Sequence, residues 1–365
     1  MTRTSQVPPV ALYGEDAPEL CNPVLWNGLA TSAYHAWAFW RAEQVALAPS
    51  PFRAQNDIRI VMGMIRSLPP RSVGAERLAA ILRRLLDGAL APLAGVAARP
   101  RILLALGLPE RMGDEHGELR FQRERSRLVA EAFQHLEARA AEVEVEAVPT
   151  GHASFAECIE RAAQGIRAGR TDVALVGGID TGYDPEVVQK ALDEGRIYDG
   201  ANLDGFCPGE GGAMWLMMPR GSAARLGLPA TRVEGLARTL ERAHSYTDAP
   251  CRAEGLTAAA NALTMPLRKS GRTLDLWLHD VTSEVYRVHE MNLAWPRAAH
   301  DVMSPKGTIQ SLHPAFGDLG AAFGATAAAL AAEAFSRGDP ATERCIITAS
   351  SPHEQRAAIL LRPGR

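Results

Sequence analysis

Two stretches of this chain spell out the same order of elements, and this duplication constrains the fold more than any other feature. In the first, an Ala-rich helical segment from Phe155 to about Arg167 leads through "AGRTD" to the apolar run "VALVGGID". A loop and a second apolar run, "GGAMWLMMPRG", follow. In the second, an Ala-rich helical segment from Gly320 to about Phe335 leads through "SRGDPATE" to "RCIITASS". A shorter loop and "RAAILLRP" follow. The spacing is too long for a solenoid repeat. It predicts two α/β halves, residues 1–222 and 223–365, sharing one core. The short apolar runs read as strands buried on both faces, with helices packed around them.

The remaining segments fit this plan. Strands are expected in "PVALYG", "RPRILLALGLPE", "ATRVEGLARTLE", "TLDLWLHDVT" and "GTIQSL", and helices at about 24–43, 75–93, 119–140, 252–269 and 284–294. "GAERLAAILRRLLDGAL" is amphipathic at helical spacing, with Arg77, Arg83 and Arg84 on its polar face. Glu284, Arg287 and Glu290 fall at helical spacing and read as surface pairs.

Composition narrows the function. A chain of 365 residues, 47% hydrophobic and 22% charged, has material for an ample core. A net charge of -3 gives no electrostatic case for nucleic acid or an anionic membrane. The first nine residues lack a signal-peptide h-region. "AAFGATAAALAAEAF" is too short to span a bilayer and is interrupted by Glu333. The five cysteines are scattered without CxxC or Cys/His metal spacing, which reads as a reduced cytoplasm. Neither GxGxxG after a strand nor GxxxxGK[ST] occurs, so no nucleotide cofactor is implied.

The chemistry concentrates in "VPTGHASFAECIERAAQG". A β-like run breaks at Pro149-Thr150-Gly151, His152 follows, and a helix begins. Such an elbow puts one side chain beside the free N–H groups and positive end of a helix, where enzymes place nucleophiles. Here that residue is a histidine.

"IRAGRTDVALVGGID" followed by "LDGFCPGEGGAMWLMM" resembles the β-ketoacyl synthase branch of the thiolase superfamily. Asp204, Gly205, Phe206, Gly209, Glu210 and Gly211 stand in that family's order, and Gly177 and Gly178 match its preceding strand. "SLHPAFGDLGAAFG" is similar to a further family signature. The likeness is clear over 148–218 and 304–335, plausible over 276–290 and weak before 100. It implies an α/β thiolase fold of duplicated βαβαβαββ halves in five layers, a homodimer, and acyl-CoA or acyl carrier protein as partner. The family's chemistry needs a cysteine, two histidines and a lysine. By resemblance the cysteine falls on His152, the first histidine on His279, a glutamate on Glu290, the lysine on His313 and the second histidine on Asp318. The family's C-terminal glycine loop falls on "SSPHEQR", which has no glycine. Cys158 lies too far into the helix to replace the nucleophile, and Cys207, beside Phe206, lies in the loop that lines the family's acyl entrance.

Three readings stand side by side. The glycines and Glu210 persist because they pack, His152 and Asp318 cap helices, and the chain is a non-condensing scaffold that binds an acyl group or a protein partner. Alternatively, His152, His279, His313 and Asp318 converge on one pocket and perform acyl transfer or thioester hydrolysis. As a third reading, the same four residues hold a metal ion, an idea with no local ligand spacing behind it. Cysteine-less relatives accompany polyketide or fatty-acid assembly, and another group is encoded among type VI secretion components. The region 49–90 resembles that second group.

Overall fold

The structure is a computed structural model that describes residues 10–14, 17–54, 57–95, 98–110, 115–338 and 342–364. The expected character of residues 1–9, part of the 336–343 turn and the His116 side chain lie outside them. In chain order the strands are β1 (Val10–Leu12), β2 (Glu19–Asn27), β3 (Leu47–Arg53), β4 (Arg59–Gly63), β5 (Arg101–Gly107), β6 (Glu142–Val148) and β7 (Val173–Thr181). They continue as β8 (Glu210–Met218), β9 (Ala230–Leu240), β10 (Leu274–His279), β11 (Met303–Ser311), β12 (Cys345–Ser350) and β13 (Gln355–Pro363). The helices are α1 (Ala33–Arg41), α2 (Ala75–Leu90), α3 (Glu115–Glu137), α4 (Ser154–Arg167) and α5 (Pro185–Asp193). After these come α6 (Ser222–Arg225), α7 (Glu254–Lys269), α8 (Val285–Ala298), α9 (His313–Phe316) and α10 (Phe323–Arg337).

The duplication seen in the sequence extends to strand order and direction. One set runs β6-β5-β7-β8-β2 and the other β11-β10-β12-β13-β9. In each, the first three strands are parallel and the last two pairings antiparallel. The two sets join where Glu19–Cys21 pairs with Ala230–Arg232. Between them lie α4 and α10. Outside lie α2 and α3 on one side, α7 and α8 on the other, completing the five expected layers.

The central helices are Ala-rich because they are covered on both sides. Residues 321–331 are buried without interruption, and Phe155, Ile159, Ala162 and Ala163 of α4 join the same core. Small side chains let two sheets close on one helical layer at interior packing density. Gly178 serves the same closeness: a Cβ there would stand 2.0 Å from the Ala321 carbonyl oxygen, a backbone atom. Gly178→Ala is expected to cost about 1–3 kcal/mol or more through overpacking. Denaturant melts of the variant check this.

Three expectations require correction. The helix read at 24–43 begins only at Ala33, where the Ser32 side chain accepts the His35 N–H. Residues 24–27 belong to β2, because the run Val24-Leu25-Trp26 fills a sheet position between β8 and β9. The segment 47–63, for which no strand was expected, forms the β3–β4 hairpin. The amphipathic reading of α2 needs a change at one residue. Arg77 is 1% exposed, because its guanidinium neutralises the buried Glu210.

Candidate active site

The elbow forms where β6 ends. Gly151 adopts φ +54°, its N–H donates to the Leu108 carbonyl, and a single 3-10 turn, Gly151–Ala153, leads into α4. His152 sits in this turn and caps nothing. Its ring turns toward the start of the other central helix, where Nε2 lies 2.6 Å from Asp318 Oδ1. Asp318 is fixed by its backbone: its N–H donates to the Cys207 carbonyl, and its own carbonyl accepts the Gly209 N–H. Its Oδ1 also accepts the Gly320 N–H at 3.2 Å, but the 3-10 turn that follows and α10 carry Leu319 and Ala322 at their N-caps, so Asp318 caps neither helix. The loop signatures around 207–209 and 317–320 therefore hold one another.

Both members of the pair are largely buried, His152 at 5% and Asp318 at 12% side-chain exposure. Burial disfavours the imidazolium and the nearby Arg287 opposes it, but the Asp318 carboxylate prevails and raises the His152 pKa. Burial works against the Asp318 carboxylate too, and is outweighed by His152 and Arg287, which hold its pKa far below the usual range. Arg287 Nη2 lies 3.5 Å and 3.4 Å from the two ring nitrogens of His152. The same guanidinium pairs with Asp280 at 3.2 Å and Glu284 at 3.4 Å, and Glu284 accepts a hydrogen bond from Arg196 Nε at 2.8 Å. Arg287 and Glu290 are thus buried, not surface pairs, because α8 turns this face toward the molecule's centre. Glu290 meets Arg356 at 2.7 Å with both side chains fully enclosed.

His152 and Asp318 line a cavity of about 390 Å³, within the usual range for ligand pockets. Its apolar walls include Leu78, Leu108, Phe121, Val187, Ile197 and Phe206. Asp180 joins the two polar residues there. Burial, reinforced by Asp318, pushes its pKa up to about 7, although the Ala321 and Thr181 N–H groups and His152 favour its charged form. Among the described residues that line this cavity there is no cysteine. Cys158 is a buried residue of α4, with Sγ 3.7 Å from the Gly177 carbonyl oxygen. Cys207 is buried beside the loop, and desolvation raises its thiol pKa.

The structure thus brings His152, Asp318, Phe206 and Gly209 to one cavity. His313 stands behind the loop: its Nε2 accepts the Cys207 N–H at 3.1 Å, and burial lowers its pKa. His279, at the end of β10, accepts the Val281 N–H on Nδ1 at 3.3 Å, and burial pushes its pKa down to about 4. Neither ring is among the cavity's lining groups. The glycine-free 350–356 loop closes on the elbow: Ser351 Oγ donates to the Thr150 carbonyl at 2.6 Å and accepts the Ala153 N–H at 3.3 Å. Glu210 holds Arg77, Thr181 and the Ile65 N–H, while a Cβ on Gly211 would meet the Trp26 carbonyl oxygen at 2.8 Å.

Sequence reasoning missed Asp180, Asp280 and the inward direction of Arg287. Asp180 had one usable signal, an acid ending a strand that is otherwise apolar. Among the described residues, only Glu241, Cys251 and Glu290 place three metal-type ligand atoms together, a group that includes none of His152, His279, His313 and Asp318. No helix among the described residues is long and apolar enough to cross a membrane.

Residues 136–223 match the family model described as beta-ketoacyl synthase, N-terminal domain. No curated protein sequence matches the chain. Among solved structures, the chain is similar to a ketosynthase from module 6 of the bacillaene synthase of Bacillus subtilis 168. The identity is 13%, covering 95% of this chain and 72% of that one, with a TM-score of 0.72. It is similar to a beta-ketoacyl synthase from Burkholderia phymatum STM815 at 16% identity, covering 96% and 100%, with a TM-score of 0.72. A type II polyketide ketosynthase solved in complex with its acyl-carrier protein and bound to the hexaketide matches at 14% identity, covering 95% and 99%, with a TM-score of 0.75. The chain therefore carries a β-ketoacyl synthase N-terminal signature within a thiolase fold.

Proposed function

We propose that this protein is a non-condensing, ketosynthase-like protein that binds an acyl group, with His152 standing where the family's nucleophile would stand. The observation that supports this most is the cavity itself. Its walls suit an alkyl chain, its polar group is a buried His152–Asp318 pair, and no described lining residue supplies a thiolate. Condensation by this family requires a thioester on cysteine, and an imidazole holds an acyl group only briefly. The protein acts in this reading as an acyl- or partner-binding subunit. An acyl carrier protein is its partner by analogy with the ketosynthase complex above, and a second copy completes a homodimer. The region 49–90 leaves a type VI secretion context as a setting for the same binding role.

The His152–Asp318 hydrogen bond supports a second reading, thioester hydrolysis or acyl transfer. A carboxylate at 2.6 Å orients the ring as in general acid–base catalysis. Thiol release from medium-chain acyl-CoA separates the two readings. Binding is expected to occur with no release above that of the His152→Ala protein. Release that disappears in His152→Ala would establish the catalytic reading instead.

A further inference from the structure

We infer that the cavity takes its ligand as a free fatty-acid anion, whose carboxylate is bound by Arg125. This rests on the reading of the cavity as an acyl site and specifies the head group that site accepts. Helix α3 turns Phe121, Glu124, Arg125 and Leu128 toward the cavity, at the i, i+3, i+4, i+7 spacing of one helical face. Most charges around the cavity are already matched within the protein. Arg120 holds Glu124, Asp184 and Glu186 together. Glu110 pairs with His353 at 3.2 Å, Lys190 approaches Glu194 at 3.8 Å, and Asp318 holds His152. Asp180 accepts the Thr181 and Ala321 N–H groups at 2.8 Å each.

Arg125 is different. It is half-buried, lines the cavity, and among the described residues has neither an ion-pair partner nor a hydrogen-bond acceptor. A guanidinium offers five donors in a planar fork, stays charged at any working pH, and matches a carboxylate bidentately. Partly withdrawn from water beside apolar walls, it is left by the described residues free to take an anion. An alkyl chain with a terminal carboxylate supplies both complements, the chain to the walls and the anion to the fork. An alcohol of the same length supplies only the first.

Calorimetric titration of the full chain at pH 8 with decanoate and with decan-1-ol tests this. Decanoate is expected to bind about 10–100-fold more tightly than decan-1-ol, the span a charge-assisted hydrogen-bond pair supplies. Arg125→Gln should abolish that preference while leaving decan-1-ol binding unchanged. Arg125→Lys should retain part of it. Val187→Trp, which fills the cavity from α5, should weaken both ligands. Equal affinity for the two ligands in the wild type, or an undiminished preference in Arg125→Gln, would overturn the assignment of Arg125 while leaving an acyl cavity in place. Failure of the wild type to bind either ligand would defeat the acyl-site reading and the inference with it.

Discussion

Asp318→Ala is expected to lose about 3–5 kcal/mol of stability, because it leaves the buried His152 without its carboxylate partner and beside the Arg287 guanidinium. The loss should depend on pH in a way that a packing defect would not. His152 has a raised pKa in the folded protein, so its contribution is complete below its ordinary value of 6.5 and is lost as pH rises through the folded value. Asp318 has a lowered pKa, so its contribution is complete above 3.8 and is lost only as pH falls through the folded value. Together they stabilise most between about pH 4 and 6.5, the window where both are ionised in the folded and unfolded chain. The gap between wild type and Asp318→Ala in urea melts should be wider at pH 5.5 than at pH 9. Equal gaps would show that the ion pair is not what Asp318 contributes.

Glu210→Ala is expected to produce a loss of similar size, about 3–5 kcal/mol, by a different route. Glu210 is 1% exposed and accepts from Arg77 Nε at 2.7 Å, Thr181 Oγ1 at 2.9 Å and the Ile65 N–H at 2.5 Å. Arg77 in turn donates to the carbonyls of Ile65, Pro69 and Ser72. Removing the carboxylate leaves a buried guanidinium with carbonyl partners only and releases the 65–72 segment from β8. Glu210→Gln keeps shape and some acceptor capacity, so it should cost clearly less. Chemical denaturation of both variants checks the order. A Glu210→Ala protein as stable as Glu210→Gln would mean that the retained acceptor oxygen and side-chain shape contribute nothing.

These two residues show what the sequence disclosed and what it withheld. The repeated pattern of helix and two apolar strands was legible because residues on both faces of a buried sheet must be apolar, and because a helix between two sheets must be small-sided. Gly178, Gly209 and Glu210 were recognisable as a signature, but Glu210 could not be joined to Arg77. Their contact spans 133 positions, and a lone arginine on an amphipathic helix ordinarily faces water. The same blindness to long-range pairing turned Arg287 and Glu290 into surface residues. His152 and Asp318 were placed together by resemblance, and their contact across 166 positions is direct. His279 and His313 were placed there by the same route, yet their rings serve backbone N–H groups. Local periodicity carries no information about which rotamer a histidine takes at the end of a strand. The last part of β2, residues 24–27, was lost to a helical reading because its apolar run Val24-Leu25-Trp26 is followed closely by the aromatic and apolar residues of α1.

In the proposed function, His152 takes the place of the nucleophile at the elbow, and no acyl thioester forms on a cysteine of the wild type. The most direct test of this claim is intact-protein mass spectrometry, with peptide mapping, after incubation with decanoyl-CoA, on the wild type and on His152→Cys. The expected result is no stable acyl adduct on the wild type and a single decanoyl adduct at position 152 in the variant, where a helix N-terminus faces an apolar cavity. A decanoyl thioester mapped to Cys207 or Cys158 of the wild type would contradict the claim.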